Sequence, residues 1–218
     1  MYMLFPKLYK YSDSAGLILL KFIFQAVARL LSAYFCNAAE AAEMPLVFDG
    51  SDQLTGDFGL YDDPGLPQLE HTLQRFPKLK IFGHGPVFWS ELGKLKTPGE
   101  RAFIFNYNGD NQVGRIPDGE FEEGVVPTLL RRYENLQCDL SDGTPIANLS
   151  RDREYCVKFL TEFQDRLYFG TDACNVNSDL TPFIRFFKTL RDEKKISSEV
   201  YDKIMFKNAQ KLFEENQK

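Results

Sequence analysis

Three short apolar segments of this chain each end at a residue that could bind a metal ion or transfer a proton. In chain order, the segments and the residues that end them are 46–48 with Asp49, 79–83 with His84, and 167–171 with Asp172. In proteins whose strands alternate with helices, the chemistry collects at the carboxyl ends of parallel strands, where side chains distant in sequence meet. The spacing therefore predicts that these three polar residues are neighbours in space.

His84 has the sequence surroundings of a functional histidine. It is one of two histidines in the chain, and the glycines on either side of it, Gly83 and Gly85, allow a ligand and the backbone to approach closely. Metal binding and proton transfer are the functional interpretations, and a hydrogen-bonded histidine within a turn is the structural alternative. The second histidine, His71, falls within a helical pattern and is predicted to be exposed.

Asp172 follows directly after the apolar residues of a predicted strand. An ionised carboxylate at such a position can bind a metal ion and accept the proton of an attacking water molecule. The structural alternative is a helix cap or a turn, where aspartate is common. Asp49, Asp139 and Asp142 have the same two interpretations, but the sequence around them supports the functional one less strongly.

The composition is that of an ordinary soluble protein. The 218 residues, 44% of them hydrophobic and 26% charged, predict one globular domain over residues 1–218. A net charge of −5 gives no basic surface for nucleic acid. The four cysteines are scattered, which favours reduced thiols and a cytoplasmic protein over a disulfide framework or a zinc knuckle. The chain has no nucleophile elbow and no phosphate-binding loop.

Residues 15–36 are the one segment of the chain with membrane-like hydropathy. Four polar side chains within it share one face of a helix, at spacings of four, four and three residues: Lys21, Gln25, Arg29 and Ser32. A spanning helix would be apolar on all sides and would disfavour two cations near its centre. We therefore predict an amphipathic core helix in preference to a transmembrane span or signal anchor, and no membrane partner.

The hydrophobic pattern predicts strands that alternate with helices. The predicted strands are residues 3–10, 44–48, 79–82, 136–140 and 167–169. The predicted helices are residues 14–43, 64–76, 87–92, 125–133, 151–163, 180–191 and 197–215, the last with Ser197 as its N-cap. Right-handed crossovers make such strands parallel. The expected fold is α/β, with about five parallel strands and helices outside them, in a chain shorter than the roughly 250 residues of a complete (β/α)8 barrel.

Residues 93–124 are rich in glycine, proline, asparagine and charge, and they predict a long loop. A loop of this length within a compact domain is commonly a lid over a functional site or is poorly ordered. Trp89, Phe88 and Tyr107 could form an aromatic wall for a substrate, although aromatic residues at such positions more often serve packing.

Several motifs together resemble the amidohydrolase-related family (amidohydrolase family 2) of metal-dependent hydrolases. The motifs are residues 44–48, 66–70 with 75–77, 81–85 with Phe88 and Trp89, 135–141, 165–172 and 208–212. The resemblance covers most of the chain from Met44 onward. It implies a (β/α)8 barrel whose metal site is built from an H-x-H pair after the first strand, a histidine after each of strands five and six, and an aspartate after strand eight.

The resemblance assigns roles by position. His84 matches the strand-six histidine, and Asp172 matches the strand-eight aspartate, which binds metal and shuttles a proton. Asp49 stands where the family has its strand-five histidine. The chain contains no H-x-H pair and is expected to begin near the fourth strand, at residues 5–9, without the first three strands. The implied fold is a partial TIM-like barrel, with Asp49, His84 and Asp172 as metal ligands.

A metal-dependent hydrolase of a C–N or C–O bond in a small-molecule substrate, or a related decarboxylase, is the function that the resemblance implies. Catalytic zinc usually takes three protein ligands, and an oxygen-rich set also suits magnesium or manganese. Asp172 is the expected proton acceptor. Turnover is expected to be impaired, because most of the family's ligands are missing.

A non-catalytic remnant of such a barrel is the alternative. A truncated barrel without a metal could bind a ligand or a partner without turnover. Its uncovered strand edge and apolar inner face would favour a homo-oligomer.

Overall fold

The computed structural model describes residues 33–51, 60–96, 121–173 and 179–215. They form an α/β fold in which helices pack against a parallel sheet, as the alternating pattern predicts. The predicted strand at residues 3–10, most of the predicted helix at residues 14–43 and the centre of the predicted loop at residues 93–124 lie outside the described residues.

The sheet of the described residues contains five strands. They are β1 (Leu46–Ser51), β2 (Leu60–Tyr61), β3 (Ile81–His84), β4 (Leu136–Asp139) and β5 (Leu167–Tyr168). Their order is β2-β1-β3-β4-β5, and every neighbouring pair is parallel. β1, β3, β4 and β5 form the body of the sheet, and the two-residue β2 extends it beyond β1. β1 and β3 end later than predicted, so Asp49 and His84 belong to the strands themselves.

Helices connect these strands at the positions that the apolar spacing predicts, with one addition. The helices are α1 (33–41), α2 (Pro67–Arg75), α3 (Gly85–Ser90), α4 (Val125–Arg132), α5 (Gly143–Leu149), α6 (Arg153–Glu162), α7 (Thr181–Asp192), α8 (Ser198–Asp202) and α9 (Asn208–Glu215). A π-helical turn, Lys203–Lys207, joins α8 to α9, so one continuous helix covers the predicted range. The addition is α5.

Helix α1 has one buried side and one exposed side in its described part. Cys36 and Ala39 are buried in the core, while the aromatic side chains of Tyr34 and Phe35 are exposed. The polar stripe of the predicted amphipathic helix lies outside the described residues. Within the described part of the chain, no helix is long and apolar enough to cross a membrane.

Helix α2 begins later than predicted because an upstream carboxylate caps it. Both oxygens of the buried Asp62 carboxylate accept backbone hydrogen bonds, from Gln68 N at 3.0 Å and from Leu69 N at 2.9 Å. These donors are the first-turn N–H groups that have no partner within a helix. The proline at the first helical position is therefore Pro67, and Pro64 lies in the preceding turn.

Helix α5 is absent from the predicted elements because its sequence looks like a turn. It starts with Gly143, Thr144 and Pro145, which follow Asp142. The Asp142 side chain accepts hydrogen bonds from Gly143 N and from the Thr144 hydroxyl, and so caps the helix. Glycine, aspartate and proline punctuate turns in most sequences, but an N-cap followed by an early proline also starts a helix.

One face of the sheet carries the hydrophobic core. Leu136, Cys138 and Leu167 are completely buried on this face. A side chain at Gly83 would place its Cβ 2.3 Å from the ring of Phe88, so only glycine fits between β3 and α3. The close contact fixes α3 against the end of β3, and with it the backbone that carries His84.

The C-terminal helix is tied to β5 by hydrogen bonds from a buried side chain. Asn208 Nδ2 donates to Gln164 O at 2.7 Å and to Leu167 O at 2.9 Å. In the π-helical turn, the Ile204 carbonyl accepts a bond from Phe169 N at 2.9 Å. At the start of the helix, the Ser197 hydroxyl accepts a bond from Val200 N at 3.1 Å, so the predicted N-cap is confirmed.

The two ends of the predicted loop at residues 93–124 lie side by side. Gly93 and Glu123 form an antiparallel bridge, and Lys94 N donates to Glu122 O at 2.9 Å. At Gly124 a Cβ would lie 2.1 Å from the Glu91 carbonyl oxygen, so the second end can pack this closely only as glycine. The loop therefore leaves and re-enters the fold at one place, next to the start of α4.

Candidate functional site

The polar residues near the carboxyl ends of the strands form a row across the sheet. Asp49 pairs with His84, and Gly83 pairs with Cys138, so that the next residues, His84 and Asp139, stand beside each other. Asp139 pairs in turn with Tyr168. Residues in register on parallel strands project from the same face. The sheet thus presents an aspartate on each side of His84, on the face opposite the core residues Leu136 and Cys138.

His84 is held by the carboxylate of Asp139. The distance from His84 Nδ1 to Asp139 Oδ2 is 3.1 Å, and the two side chains are 16% and 24% exposed. This hydrogen bond raises the pKa of His84, burial of the ring opposes the increase, and the charges of Asp139, Asp49 and Asp172 add to it. His84 is therefore more basic than a solvated histidine, although it is partly buried.

Ser141 completes the support of Asp139. Ser141 N donates to Asp139 Oδ1 at 2.9 Å, and the Ser141 hydroxyl lies 3.4 Å from His84 Nδ1. Burial of the Asp139 carboxylate would by itself raise its pKa, but the hydrogen bonds from His84 and Ser141 outweigh burial and lower the pKa of Asp139. The carboxylate is therefore ionised at neutral pH.

Asp49 is packed against the backbone that follows His84. A Cβ at Gly85 would lie 2.5 Å from Asp49 Oδ1, and Gly85 has a φ of +75°. Burial raises the pKa of Asp49, the positive charge of His84 lowers it, and the negative charges of Asp172 and Asp142 raise it. The carboxylate of Asp49 is the more weakly acidic of the two that flank His84.

Asp172 belongs to the same electrostatic cluster. It lies in the segment after β5, it is exposed, and its backbone is left-handed with a φ of +49°. Its negative charge raises the pKa of both Asp49 and His84. A left-handed aspartate is uncommon, and such backbone conformations occur more often at functional sites than elsewhere.

The chemistry of these donors fits a divalent cation. With Nδ1 of His84 engaged by Asp139, the free ring nitrogen is Nε2, which is the usual arrangement of a metal-binding histidine and its supporting carboxylate. The carboxylates of Asp49 and Asp172 repel each other in the absence of a cation. Among the residues that the structure describes, no three His, Cys, Asp or Glu side chains form a preassembled metal-binding group.

Two of the three aromatic residues that the sequence suggests as a substrate wall are buried in the core. Trp89 and Phe88 are completely buried, and their rings pack edge to face with centroids 5.4 Å apart. Trp89 Nε1 also donates to the Asp139 carbonyl at 3.0 Å. Both residues thus serve packing, which was the structural alternative for them. Tyr107 lies outside the described residues.

Sequence reasoning gives Asp139 little weight. It lies within the predicted strand at residues 136–140 and is only a weaker metal or proton-transfer candidate there, and the sequence gives no sign that its partner is His84. That pairing follows from the strand order, which places β4 next to β3. Ser141 belongs to the motif at residues 135–141, but nothing in the sequence marks it as a partner of Asp139, because a serine after a strand is common in loops.

Comparisons of the chain with models of known protein families, with curated proteins and with solved structures find no match. The site is therefore interpreted from its own geometry and chemistry.

Proposed function

We propose that the chain is a hydrolase of the amidohydrolase type, which cleaves a C–N or C–O bond in a small molecule, or a decarboxylase with a related site. The observation that carries this proposal is the row of Asp49, His84 and Asp139 at the carboxyl edge of a parallel sheet, with the charge of Asp172 beside it. A basic imidazole among carboxylates at such an edge supplies the groups that acid–base or metal-assisted catalysis requires.

In this proposal, His84 Nε2 and the carboxylate of Asp49 would hold a divalent cation, either zinc or, with this oxygen-rich set, magnesium or manganese. A bound cation of this kind polarises the scissile group and makes water more acidic. Asp172, which is exposed at the edge of the site, accepts the proton of the attacking water and returns it to the leaving group. Asp139 orients His84 and stays ionised.

We also propose that the sheet is part of a (β/α) barrel, with the face that carries Asp49, His84 and Asp139 turned inward. The all-parallel order of the five described strands supports this arrangement. A cytoplasmic location belongs to the same proposal, and the free thiols of Cys36, Cys138 and Cys156 support it.

The decisive experiment compares the two histidines. The His84→Ala variant should lose bound divalent metal, measured by elemental analysis after purification without added metal. It should also lose at least about 100-fold of any hydrolysis, measured on small N-acyl amides, lactones and aryl carboxylates. His71→Ala is the matched control, because His71 is exposed in the middle of α2. Metal that remains with the His84→Ala variant at the wild-type level would refute the proposed site.

A binding protein without turnover is the second candidate, and one observation favours it. Val47 lies on the face of β1 that carries Asp49 and is 62% exposed, and Met44, just before the strand, is 61% exposed. Apolar side chains exposed on a sheet suit contact with a ligand, with a partner or with a second copy. Light scattering would detect a homo-oligomer, and Val47→Lys should dissociate it. This candidate is favoured if the wild-type protein contains no metal and hydrolyses nothing.

A further inference from the structure

Asp139 makes two kinds of contact with its two carboxylate oxygens. Oδ1 accepts a hydrogen bond from Ser141 N at 2.9 Å, so the backbone of the following turn fixes this oxygen. Oδ2 faces His84 Nδ1 at 3.1 Å. The carboxylate is therefore not free to exchange its oxygens between the two partners, and one defined oxygen is presented to the ring.

The surroundings hold Asp139 in this orientation. Its backbone carbonyl accepts the bond from the completely buried Trp89 at 3.0 Å. On the side of β5, a Cβ at Gly170 would lie 2.8 Å from Ser141 Cβ and 3.3 Å from Asp139 Oδ1, so Gly170 lets the next segment close over the pair. The main chain of Asp139 is thus tied to the core through Trp89, and its side chain is held by Ser141 and His84.

We infer that Asp139 is a positioning residue that holds the neutral ring of His84 in the Nδ1-protonated tautomer and so presents Nε2 to the site. An unprotonated Nδ1 would direct its lone pair at an anionic oxygen 3.1 Å away, which is repulsive. The Ser141 hydroxyl is farther from Nδ1, at 3.4 Å, and can accept from the same N–H. The tautomer of a histidine is set by the hydrogen bond that one of its nitrogens makes.

This tautomer is the minor form of a freely solvated histidine. Holding His84 in it therefore costs free energy, which the hydrogen bond to Asp139 offsets. Its effect is to leave the Nε2 lone pair available for a proton or for a cation. The inference rests on the proposed function only for the use that is made of Nε2. The tautomer itself follows from the contacts of Asp139 alone.

The Asp139→Asn variant tests the inference sharply, because the orientation of the new amide can be foreseen. Ser141 N is a donor, so the carbonyl oxygen of the asparagine takes the Oδ1 position and its NH₂ group takes the Oδ2 position. The NH₂ group is a donor as well, and it would then face Nδ1. The ring of His84 is therefore expected to change to the Nε2-protonated tautomer.

The measurement is a long-range proton–nitrogen NMR spectrum of the histidine rings. It is recorded after dialysis against a chelator and at a pH where both rings are neutral. The chain has two histidines, so the spectrum contains two ring systems, and the His71→Ala variant assigns them. In the wild-type protein, His84 should show a protonated Nδ1 and an unprotonated Nε2. The Asp139→Asn variant should show the reverse.

Asp142→Asn is the matched control. It makes the same substitution near the same edge of the sheet, but the Asp142 side chain bonds to Gly143 and Thr144 and not to His84. Asparagine is also a good N-cap for α5. The His84 tautomer should stay as in the wild type in this variant.

Two results would overturn the inference. One is an Nε2-protonated His84 in the wild-type protein, which needs no variant to fold. The other is a folded Asp139→Asn variant in which Nδ1 is still protonated. Neither result depends on metal content or hydrolysis, so a failure of the proposed function and a failure of this inference are distinguishable.

Discussion

Gly85, the glycine after His84, leaves the space that the side chain of Asp49 occupies. Gly85 has a positive φ of +75°, and a Cβ there would collide with Asp49 Oδ1 at 2.5 Å. Gly65 offers a matched control, because it has a φ of +94° with nothing within 4 Å of its Cβ position. The two positions share the backbone requirement, but only one of them touches the site.

We expect Gly85→Ala and Gly65→Ala each to lower the free energy of unfolding by about 1–2 kcal/mol, the cost of a left-handed non-glycine residue. Gly85→Ala should in addition displace Asp49 and reduce metal binding, whereas Gly65→Ala should not. Urea unfolding and metal titration measure the two effects. Equal metal binding by the two variants would show that Asp49 is not a ligand.

A second residue-scale prediction concerns the ion pair of Glu123. Arg131 donates to both oxygens of Glu123, at 2.7 and 2.9 Å, and Lys158 lies 3.3 Å away. The hydrogen bonds from Arg131 lower the pKa of Glu123 from 4.5 to about 2, against the opposing effect of burial. A lowered folded-state pKa stabilises the protein above the unfolded value of 4.5, and this stabilisation is lost as the pH falls toward 2.

Glu123→Gln should therefore cost up to about 1 kcal/mol of unfolding free energy at pH 7, since the pair is partly exposed. The difference from wild type should shrink as the pH is lowered below 4.5, the unfolded-state pKa. Urea unfolding at a series of pH values measures it, with Glu122→Gln as control, because Glu122 forms its ion pair with the exposed Lys94 and not with Arg131. A difference that is constant with pH would contradict the assignment of the shift to Arg131.

At the scale of elements, buried asparagines tie helices to strands. Asn208 donates to Gln164 O and Leu167 O, and Asn135 donates to Leu73 O and Phe76 O. In each case one amide group donates to two backbone carbonyls, and Phe76 O also accepts a bond from Leu79 N at 3.2 Å. A buried carbonyl that loses its donor costs free energy.

Asn208→Ala is expected to lower the free energy of unfolding by about 1–3 kcal/mol, because the carbonyls of Gln164 and Leu167 lose their donor. Gln210→Ala on the same helix is the control, since Gln210 is exposed and bonds only to Glu214 among the described residues. It should change the free energy by less than about 0.5 kcal/mol. Thermal or urea unfolding measures both. Similar losses of unfolding free energy in the two variants would show that the hydrogen bonds of Asn208 to Gln164 O and Leu167 O do not contribute to stability.

The elements themselves were predictable wherever apolar spacing decides them. The helix at residues 125–133 and the strand at residues 136–140 agree with α4 and β4 to within one residue. Boundaries that depend on distant partners were not predictable from the sequence: α2 starts at Pro67 because Asp62 caps it. The π-helical turn Lys203–Lys207 was not predictable either, since it has no local sequence signal. Local pattern carries no information on contacts that form only after the chain has folded.

At the scale of the whole molecule, the site depends on strand order. Strand ends bearing Asp49 and His84 are visible in the sequence, and their meeting follows once the strands are parallel neighbours. The support of His84 by Asp139 requires β4 to lie beside β3, which no short motif specifies. Sequence reasoning therefore finds the residues that we propose as ligands more readily than the residue that we infer to position His84.

We expect backbone hydrogen bonds within the sheet to be more resistant to opening than those near the surface. Cys138 N donates to Arg166 O at 2.9 Å where β4 pairs with β5, and Lys94 N donates to Glu122 O at the same distance near the surface. Cys138 is completely buried, whereas Lys94 is exposed. Since the two bonds are equally long, any difference in exchange reflects the packing around them and not the bond itself.

Hydrogen exchange followed by NMR should therefore show the Cys138 amide opening only with global unfolding, at a cost on the order of 5–15 kcal/mol. The Lys94 amide should exchange by local opening at a cost several kcal/mol lower. Asn208→Ala should accelerate exchange at Cys138, because it lowers the global stability, and leave Lys94 nearly unchanged. Equal protection of the two amides would mean that the sheet is not the most stable unit of the fold, and that the row of Asp49, His84 and Asp139 lacks the rigid support that its chemistry requires.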